Sequence, residues 1–466
     1  MSKVTNILSD CTILQTIGNG NDLHGKICFD SRKVQKGDMF IAVKGSQVDG
    51  HNYIEKAIAL GANYIVCEEF PEKINPDVCY LKIDDSKSGL GKISSAFYGH
   101  PSRNLNLVGI TGTNGKTTIA SLLFDVTRSL GYSTGLISTI NVCINDLERP
   151  ATHTTPDPVQ LHASLKEMLE SGCEYVFIEI SSHAIDQNRT AGLEFKGGVF
   201  TNLTHDHLDY HENFANYRDV KKSFFDKLDK NAFALINKDD KNGAIMVQNT
   251  RANIHEYSMK ADADYKVGLK EMHLEGNLLE IDGAEVWTRL PGEFNAYNVV
   301  AVFAICQLLG FNRKDVMQSL SLQKSAAGRF EIFASAKGTV AIVDYAHSPD
   351  ALKNVLQTIR KIVKDNRRII TIVGSGGDRD KTKRAEMASI AAELSDKIIL
   401  TSDNPRSENP EDIISDMEKG LSPEFIRKSV SIIDRNEAIK VTCSFAEEND
   451  LILLAGKGHE NYQEIK

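Results

Sequence analysis

The sequence predicts an α/β protein of three domains. A central, mainly parallel sheet is built around a phosphate-binding loop; a smaller α/β unit precedes it and a Rossmann-like, doubly wound unit follows. Three observations carry this. The chain has 466 residues, and one core seldom serves more than about 250–300. Short apolar runs alternate with stretches of helical period, the pattern of a parallel sheet with crossover helices. Finally, Gly112-Thr113-Asn114-Gly115-Lys116-Thr117-Thr118 follows one such run and opens a helix, the setting a phosphate loop requires.

Residues 1–100 form the first unit, with short strands and helices that end at the turn-rich Gly99-His100-Pro101-Ser102. Residues 101–327 form the central unit. A strand is expected at 105–110. In the helix after the loop, Ile119, Leu122, Leu123 and Val126 recur at i, i+3, i+4, i+7, and Gly131 is the stop. Further buried strands are expected at 175–180, 198–200 and 233–236. Residues 328–466 form the third unit, with strands at 340–343, 369–373, 397–400, 431–433 and 451–454 and helices at 350–362 and 380–394. No internal repeat or low-complexity segment stands out.

Composition narrows the function classes. With 41% hydrophobic and 25% charged residues the chain reads as an ordinary globular protein. A formal net charge of −9 argues against a nucleic-acid partner. It leaves room for anionic small molecules held by a local basic cluster. The eight cysteines are scattered with no CxxC pair, as expected of reduced thiols in a cytoplasmic protein. The first residues lack the apolar core of a signal peptide, and no run reaches the roughly 18 apolar residues of a membrane span. A cytoplasmic monomer with small-molecule partners is expected.

The loop supplies the first chemistry. Its glycines let backbone N–H groups converge on phosphate oxygens, with the positive helix end behind them. Lys116 reaches the outer phosphates of a nucleoside triphosphate, and the Thr117 hydroxyl can ligate Mg²⁺. Glu179 ends the apolar run Tyr-Val-Phe-Ile-Glu. An acid at the end of a strand beside the loop strand is where a second Mg²⁺ ligand belongs. The run Asn202 to His211 is dense in histidine and aspartate, but its spacing fits no common zinc site.

The form Gly-Thr-Asn-Gly-Lys-Thr-Thr at 112–118 resembles that of the Mur ligases and the related folylpolyglutamate synthases, which join a carboxylate to an amine through an acyl phosphate. Further motifs narrow the resemblance to the MurE type of Mur ligase and extend it over essentially the whole chain. Asp30-Ser31-Arg32 and the Ser46-Gln47-Val48 segment match the block that holds the uridine diphosphate of the substrate in that family. His153-Thr154-Thr155-Pro156-Asp157 is similar to the family's Asn-Thr-Thr-Pro-Asp, whose threonines bind the muramoyl-dipeptide; histidine replaces the asparagine here. Ser181, Gln187 and Arg189 match further substrate contacts.

The same resemblance implies that His207 is a Mg²⁺ ligand, that Asn202 lies near the phosphates, and that Lys221 is carbamylated, with Lys222 as the competing assignment. A carbamate replaces a cationic ammonium with an anion able to help hold Mg²⁺, and burial that favours the neutral amine favours its formation. Asn295 is expected toward the adenine side of ATP, Arg329 against its phosphates and Asp344 at its ribose. The implied catalytic group is Lys116, Glu179, His207 and Lys221; the implied metal set is Thr117, Glu179, His207 and the Lys221 carbamate; the expected cofactors are ATP and Mg²⁺.

Asp403-Asn404-Pro405-Arg406 resembles the motif of MurE enzymes that add meso-diaminopimelate. Arg406 offers the far carboxylate of that diamino acid a planar two-donor partner, and lysine would leave it without one. Gly456 and Glu460 match contacts to the distal amino-acid group. Arg379 is preferred over Arg384 by its spacing to this motif. The resemblance therefore implies an ADP-forming ligase that adds meso-diaminopimelate to UDP-N-acetylmuramoyl-L-alanyl-D-glutamate in peptidoglycan precursor synthesis. A lysine-adding MurE, a folylpolyglutamate synthase and a non-catalytic nucleotide-dependent interaction protein are the alternatives. Family members commonly run on past the segment matching Gly456–Glu460, so an end at Lys466 is expected to be trimmed or naturally short.

Overall fold

The computed structural model of the protein describes residues 2–20, 22–45, 48–336, 338–364 and 367–465. Three sheets organise these residues, alongside a small two-stranded ribbon. In the first, the strands run Gln15–Ile17, Cys79–Lys82, Tyr64–Cys67, Met39–Ile41, Ile27–Cys28, all parallel except the Gln15–Ile17 edge. Met39–Ile41 and Tyr64–Cys67 are buried at every residue, as parallel strands covered on both faces must be. Leu90 and Ile93 of the Ser86–Phe97 helix pack on one face, and Ile54 and Ala57 pack on the other.

The central sheet has eleven strands. Its parallel heart runs Thr134–Ile137, Tyr175–Glu179, Asn106–Thr111, Gly197–Phe200, Phe233–Asn237, Asn253–Ser258. Successive residues of each strand serve opposite cores. Val108, Ile110 and Phe177 meet the Lys116–Ser129 and Glu293–Leu308 helices, while Leu107, Val176 and Ile178 meet Pro158–Glu170 and Phe214–Asp226. Glu293–Leu308 is apolar all round and buried without a break from Asn298 to Cys306, as expected of a helix enclosed on every side.

The third sheet runs Glu331–Ala334, Val340–Asp344, Leu451–Ala455, Ile369–Val373, Lys397–Leu400, Ser429–Ser431, parallel after its first pair. Pro349–Val363 and Thr382–Leu394 cover one face, and Arg435–Phe445 covers part of the other.

The expected strands and helices are present, with shifts at two ends. The last edge strand is Ser429–Ser431 rather than 431–433: Val430 pairs with Ile399, and beyond Ser431 the chain still bonds its neighbour, the Ile432 N–H donating to the Leu400 carbonyl at 2.9 Å. The helix expected from 380 starts at Thr382; Asp380 instead accepts the Thr382 N–H at 2.9 Å. The outer strands Asn141–Ile144, Leu147–Pro150, Tyr265–His273, Gly276–Ile281 and Ala284–Thr288, antiparallel to one another except where Tyr265–His273 joins Asn253–Ser258 in parallel, were not expected from the sequence.

The first unit is pressed against the central one. Ser95 Oγ donates to the Gly192 carbonyl at 2.9 Å, and a Cβ on Gly91 would lie 2.5 Å from the Ala191 carbonyl oxygen. Cys67, Cys79, Cys143, Cys173 and Cys306 are buried, Cys11 and Cys28 partly so, and Cys443 is exposed; all eight are free. Among the described residues no helix is long and apolar enough to cross a membrane.

Candidate active site

The Asn106–Thr111 strand lies at the middle of the central sheet and ends in the phosphate loop, above the N-terminus of Lys116–Ser129. Gly112 and Gly115 have φ of 146° and 90°, open to glycine at little cost. A Cβ on Gly112 would also lie 1.9 Å from Thr201 Oγ1, so the loop cannot carry a side chain there. Lys116 Nζ turns back onto the loop and donates to the carbonyls of Gly112 and Thr113 at 3.1 and 2.7 Å.

The loop forms one wall of a cavity of about 940 Å³ between the central and third sheets. All of 112–118 line it, as do Thr154, Thr155, Glu179, Ser181, Arg189, His207, Lys221, Asn295, Arg329, Asp344 and Arg379. Glu179 is fully buried. Its carboxylate accepts from Thr117 Oγ1 at 3.0 Å and from the Thr139 N–H and hydroxyl at 2.7 and 3.1 Å.

Lys221 is 1% exposed. Its amine donates to the Gly112 carbonyl at 2.9 Å and lies over the Tyr217 ring. Burial and the nearby Lys116 charge push it well below its ordinary range, against Asp206. Lys222 is engaged elsewhere, with Asp226 at 2.8 Å. His207 stands edge-on to His183 at the cavity wall. Burial holds its imidazole toward the neutral form, although Asp206 at 3.6 Å pulls the other way.

The third unit already reaches across. Arg329 Nη2 donates to Thr117 Oγ1 at 3.0 Å, and Asn114 Nδ2 donates to Asp350 at 3.4 Å. Asp344 accepts the Phe330 N–H at 2.7 Å, and burial raises its carboxyl to about 6. Asn295 lines the cavity, but its amide is committed within the helix start, to the Pro291 carbonyl and Asn298. Gln187 stands behind the wall and accepts from Arg189 Nε and Nη2 at 3.0 and 2.8 Å.

The other expected residues are not in this cavity. Ser31 is buried in the first unit and Val48 is 56% exposed there; Ser46 and Gln47 lie outside the described residues. Asp403, Asn404, Pro405, Arg406, Gly456 and Glu460 form their own cluster at the end of the third sheet. Asn404 Nδ2 donates to Glu460 Oε2 at 2.8 Å, and a Cβ on Gly456 would lie 2.8 Å from Asp403 Oδ2. Tyr345 links this cluster to the cavity: it lines the cavity and donates to Glu460 Oε1 at 3.1 Å. Arg379 also lines the cavity, whereas Arg384 is fully buried between Glu408 and Asp416 at 2.8 and 2.9 Å. Arg406 is not left waiting for a ligand. Its Nε donates to Glu464 Oε2 at 2.8 Å.

Tyr345 and His347, from the 344–349 segment that the resemblance sets over ATP, also belong to the site, as do Thr139, Asp206 and Tyr217, and sequence reasoning singled out none of the last three as a site residue. Only the dense His/Asp run around 206 could have raised one of them. Among the described residues no three His, Cys, Asp or Glu side chains converge as a ready metal site. Glu179, the Thr117 hydroxyl and His207 nonetheless offer oxygen and imidazole donors on the cavity wall beside the loop, a donor set that suits a hard divalent cation with water completing its shell.

Comparison with known proteins agrees with this arrangement. Residues 25–98 match the Mur ligase family catalytic domain, 110–306 the Mur ligase middle domain, and 328–458 the Mur ligase glutamate ligase domain. A protein of Phocaeicola vulgatus named UDP-N-acetylmuramoyl-L-alanyl-D-glutamate–2,6-diaminopimelate ligase is 50% identical, covering 100% of this chain and 96% of its own. One of the same name from Cytophaga hutchinsonii is 53% identical, covering 94% and 90%. A solved structure of a ligase of that name superposes with a TM-score of 0.68 at 31% identity, covering 94% of this chain and 91% of the other.

Proposed function

The chain belongs to the Mur ligases, within them to the MurE type, and on that premise we propose that it joins meso-2,6-diaminopimelate to the D-Glu γ-carboxylate of UDP-N-acetylmuramoyl-L-alanyl-D-glutamate, with ATP consumed to ADP and phosphate. One observation carries the reading best. A phosphate loop, a buried carboxylate and a depressed lysine share one cavity, and Tyr345 connects that cavity to an Arg/Asn/Glu cluster fit for a diamino acid.

The γ-carboxylate attacks the γ-phosphorus of ATP and ADP leaves, giving an acyl phosphate. The amine of the diamino acid then attacks the acyl carbon and phosphate departs. The loop N–H groups, Lys116 and Arg329 lie where the transferring phosphoryl group carries its charge, and fixed donors of this kind need no reorganisation as that charge moves. To act so, Lys116 must exchange the Gly112 and Thr113 carbonyls for phosphate oxygens. Thr154, Thr155, Ser181 and Arg189, with Gln187 orienting Arg189, hold the muramoyl-dipeptide. Ser31 and the 46–48 segment hold its uridine diphosphate.

Asn295 serves the adenine and Asp344 the ribose. Arg379, Asp403, Asn404, Arg406, Gly456 and Glu460 take the diamino acid, with Pro405 shaping their loop. Thr117, Glu179, His207 and Lys221 as a carbamate would hold Mg²⁺, which when bound offsets phosphate charge. The neutral amine that burial favours at Lys221 is the form that adds to carbon dioxide and loses a proton, leaving an anion where a cation stood.

The test is phosphate release from ATP and Mg²⁺ with the UDP-muramoyl-dipeptide, run in parallel with meso-diaminopimelate and L-lysine. Turnover with diaminopimelate alone supports the reading. Preference for lysine keeps the ligase and overturns its amino acid.

A further inference from the structure

The Gln463–Ile465 stretch lies across the Asp403–Arg406 loop. Gln463 Nε2 donates to the Asp403 carbonyl at 2.8 Å, the Glu464 N–H to Asn404 Oδ1 at 2.9 Å, and the Arg406 N–H to the Glu464 carbonyl at 2.9 Å. Glu464 then turns its carboxylate onto Arg406 Nε. The stretch has little apolar anchorage, since Tyr462 is 59% and Ile465 74% exposed. A segment tied down by polar contacts alone, with almost no buried apolar area, opens at low free-energy cost.

The guanidinium of Arg406 shows what that contact excludes. A guanidinium offers a carboxylate two parallel-donor edges, Nε with Nη2 and Nη1 with Nη2. Nη1 is committed to the Gly377 carbonyl at 2.8 Å, with the Asn404 carbonyl at 3.4 Å. That carbonyl cannot withdraw easily. Gly377 lies so close to the Arg406 loop that a Cβ on it would stand 1.9 Å from the Pro405 carbonyl oxygen, and its N–H donates to Asn404 at 2.9 Å. The Nε–Nη2 edge is the one left for a two-pronged grip, and Glu464 holds its Nε. Arg406 itself holds a left-handed backbone, φ 53°, a conformation uncommon for a residue other than glycine.

We propose that Glu464 is a specificity-determining residue that competes with the incoming amino acid. Its carboxylate holds Arg406 in the free enzyme, and the far carboxylate of the diamino acid must displace it, lifting the strap. The proposal rests on the assignment of this cluster to the diamino acid. One carboxylate replaces another on the same donors, so the exchange leaves no unpaired buried charge. A ligand without a carboxylate at that end cannot open the strap by this route.

Steady-state kinetics on the full chain with Mg²⁺, ATP and the UDP-muramoyl-dipeptide test it in Glu464→Gln and, independently, Gln463→Ala. Both positions are at the surface. The KM for meso-diaminopimelate is expected to fall about three- to fivefold in each, the scale of a partly exposed ion pair, with kcat and the KM for ATP unchanged. The fall in Glu464→Gln should shrink as ionic strength rises. An unchanged or raised KM in both variants overturns the strap while leaving the amino-acid assignment standing. Wild-type enzyme that shows no turnover with diaminopimelate overturns that assignment, and the strap with it.

Discussion

Lys221 is buried under Tyr217 with its amine on a loop carbonyl, an environment that penalises the ammonium. If carbon dioxide converts it to an anion, activity should fall at least tenfold in rigorously degassed, bicarbonate-free buffer and return on adding bicarbonate. An activity indifferent to bicarbonate would mean that the free amine is the working form. Burial disfavours the cation at His162 as well. It is fully buried, its Nε2 faces the Ala191 carbonyl at 3.3 Å, its Nδ1 has no partner, and burial lowers it from 6.5 to about 4.

Between those values the unfolded chain binds a proton that the folded chain refuses. The stability from His162 is therefore complete above pH 6.5 and is lost as pH falls toward 4, by at most about 3 kcal/mol. Urea titrations at pH 7.5 and 4.5 should show this loss in wild type and a smaller one in His162→Gln. Lys116 and Thr117 could be placed from sequence because strand, turn and helix signals fall in one short window; Glu179, 62 positions beyond Thr117, was marked by ending a separate apolar run. Thr139 could not: its role comes from a neighbouring strand end delivering an N–H to Glu179 across 40 positions, and nothing local marks it.

At the scale of elements, the buried Arg384 links the two loops that carry Arg379 and Arg406. It holds Glu408, which accepts the Asp378 N–H at 2.6 Å. Removing the cation leaves a void and leaves Glu408 and Asp416 with only the exposed Lys381 and Lys419 as cationic partners, so Arg384→Ala should cost about 2–3 kcal/mol in denaturant unfolding. A loss under 1 kcal/mol would show that these carboxylates find other partners. Gly112→Ala should abolish phosphate release, since its Cβ has nowhere to go; retained turnover would mean that Thr201 can move aside.

Strands with continuous apolar runs, such as Ile369–Val373, were legible to the residue. The Tyr265–His273, Gly276–Ile281 and Ala284–Thr288 hairpins were not. They lie at the rim of the sheet, and in Tyr265–His273 only Val267 is fully buried. Gly276–Ile281 and Ala284–Thr288 do turn Leu279, Ile281 and Val286 inward, but the polar Asn277 and Thr288 share that buried face, which blurs the apolar alternation that announces a strand.

For the molecule as a whole, the units meet at two seams. Gly91 and Gly192 allow the first unit to approach the central one with backbone nearly touching backbone. Gly91→Val should push them apart, raising the KM for the UDP-muramoyl-dipeptide about tenfold or more while the KM for ATP holds, because the phosphate loop is remote from that seam; parallel rises in both would point to general unfolding. The turn at Gly99 and His100 was readable in advance, and both residues have positive φ. The contacts Arg329–Thr117 and Asn114–Asp350 were not, since they join residues more than 200 positions apart that no sequence pattern pairs.

The distribution of thiols has a practical corollary. Seven of the eight cysteines are at least partly shielded, and Cys443 alone is exposed, on the outer helix of the third unit. A maleimide dye under mild conditions should therefore attach at one place without mutagenesis. An optical reporter fixed there would sit on the third unit of an enzyme whose sequence is unchanged.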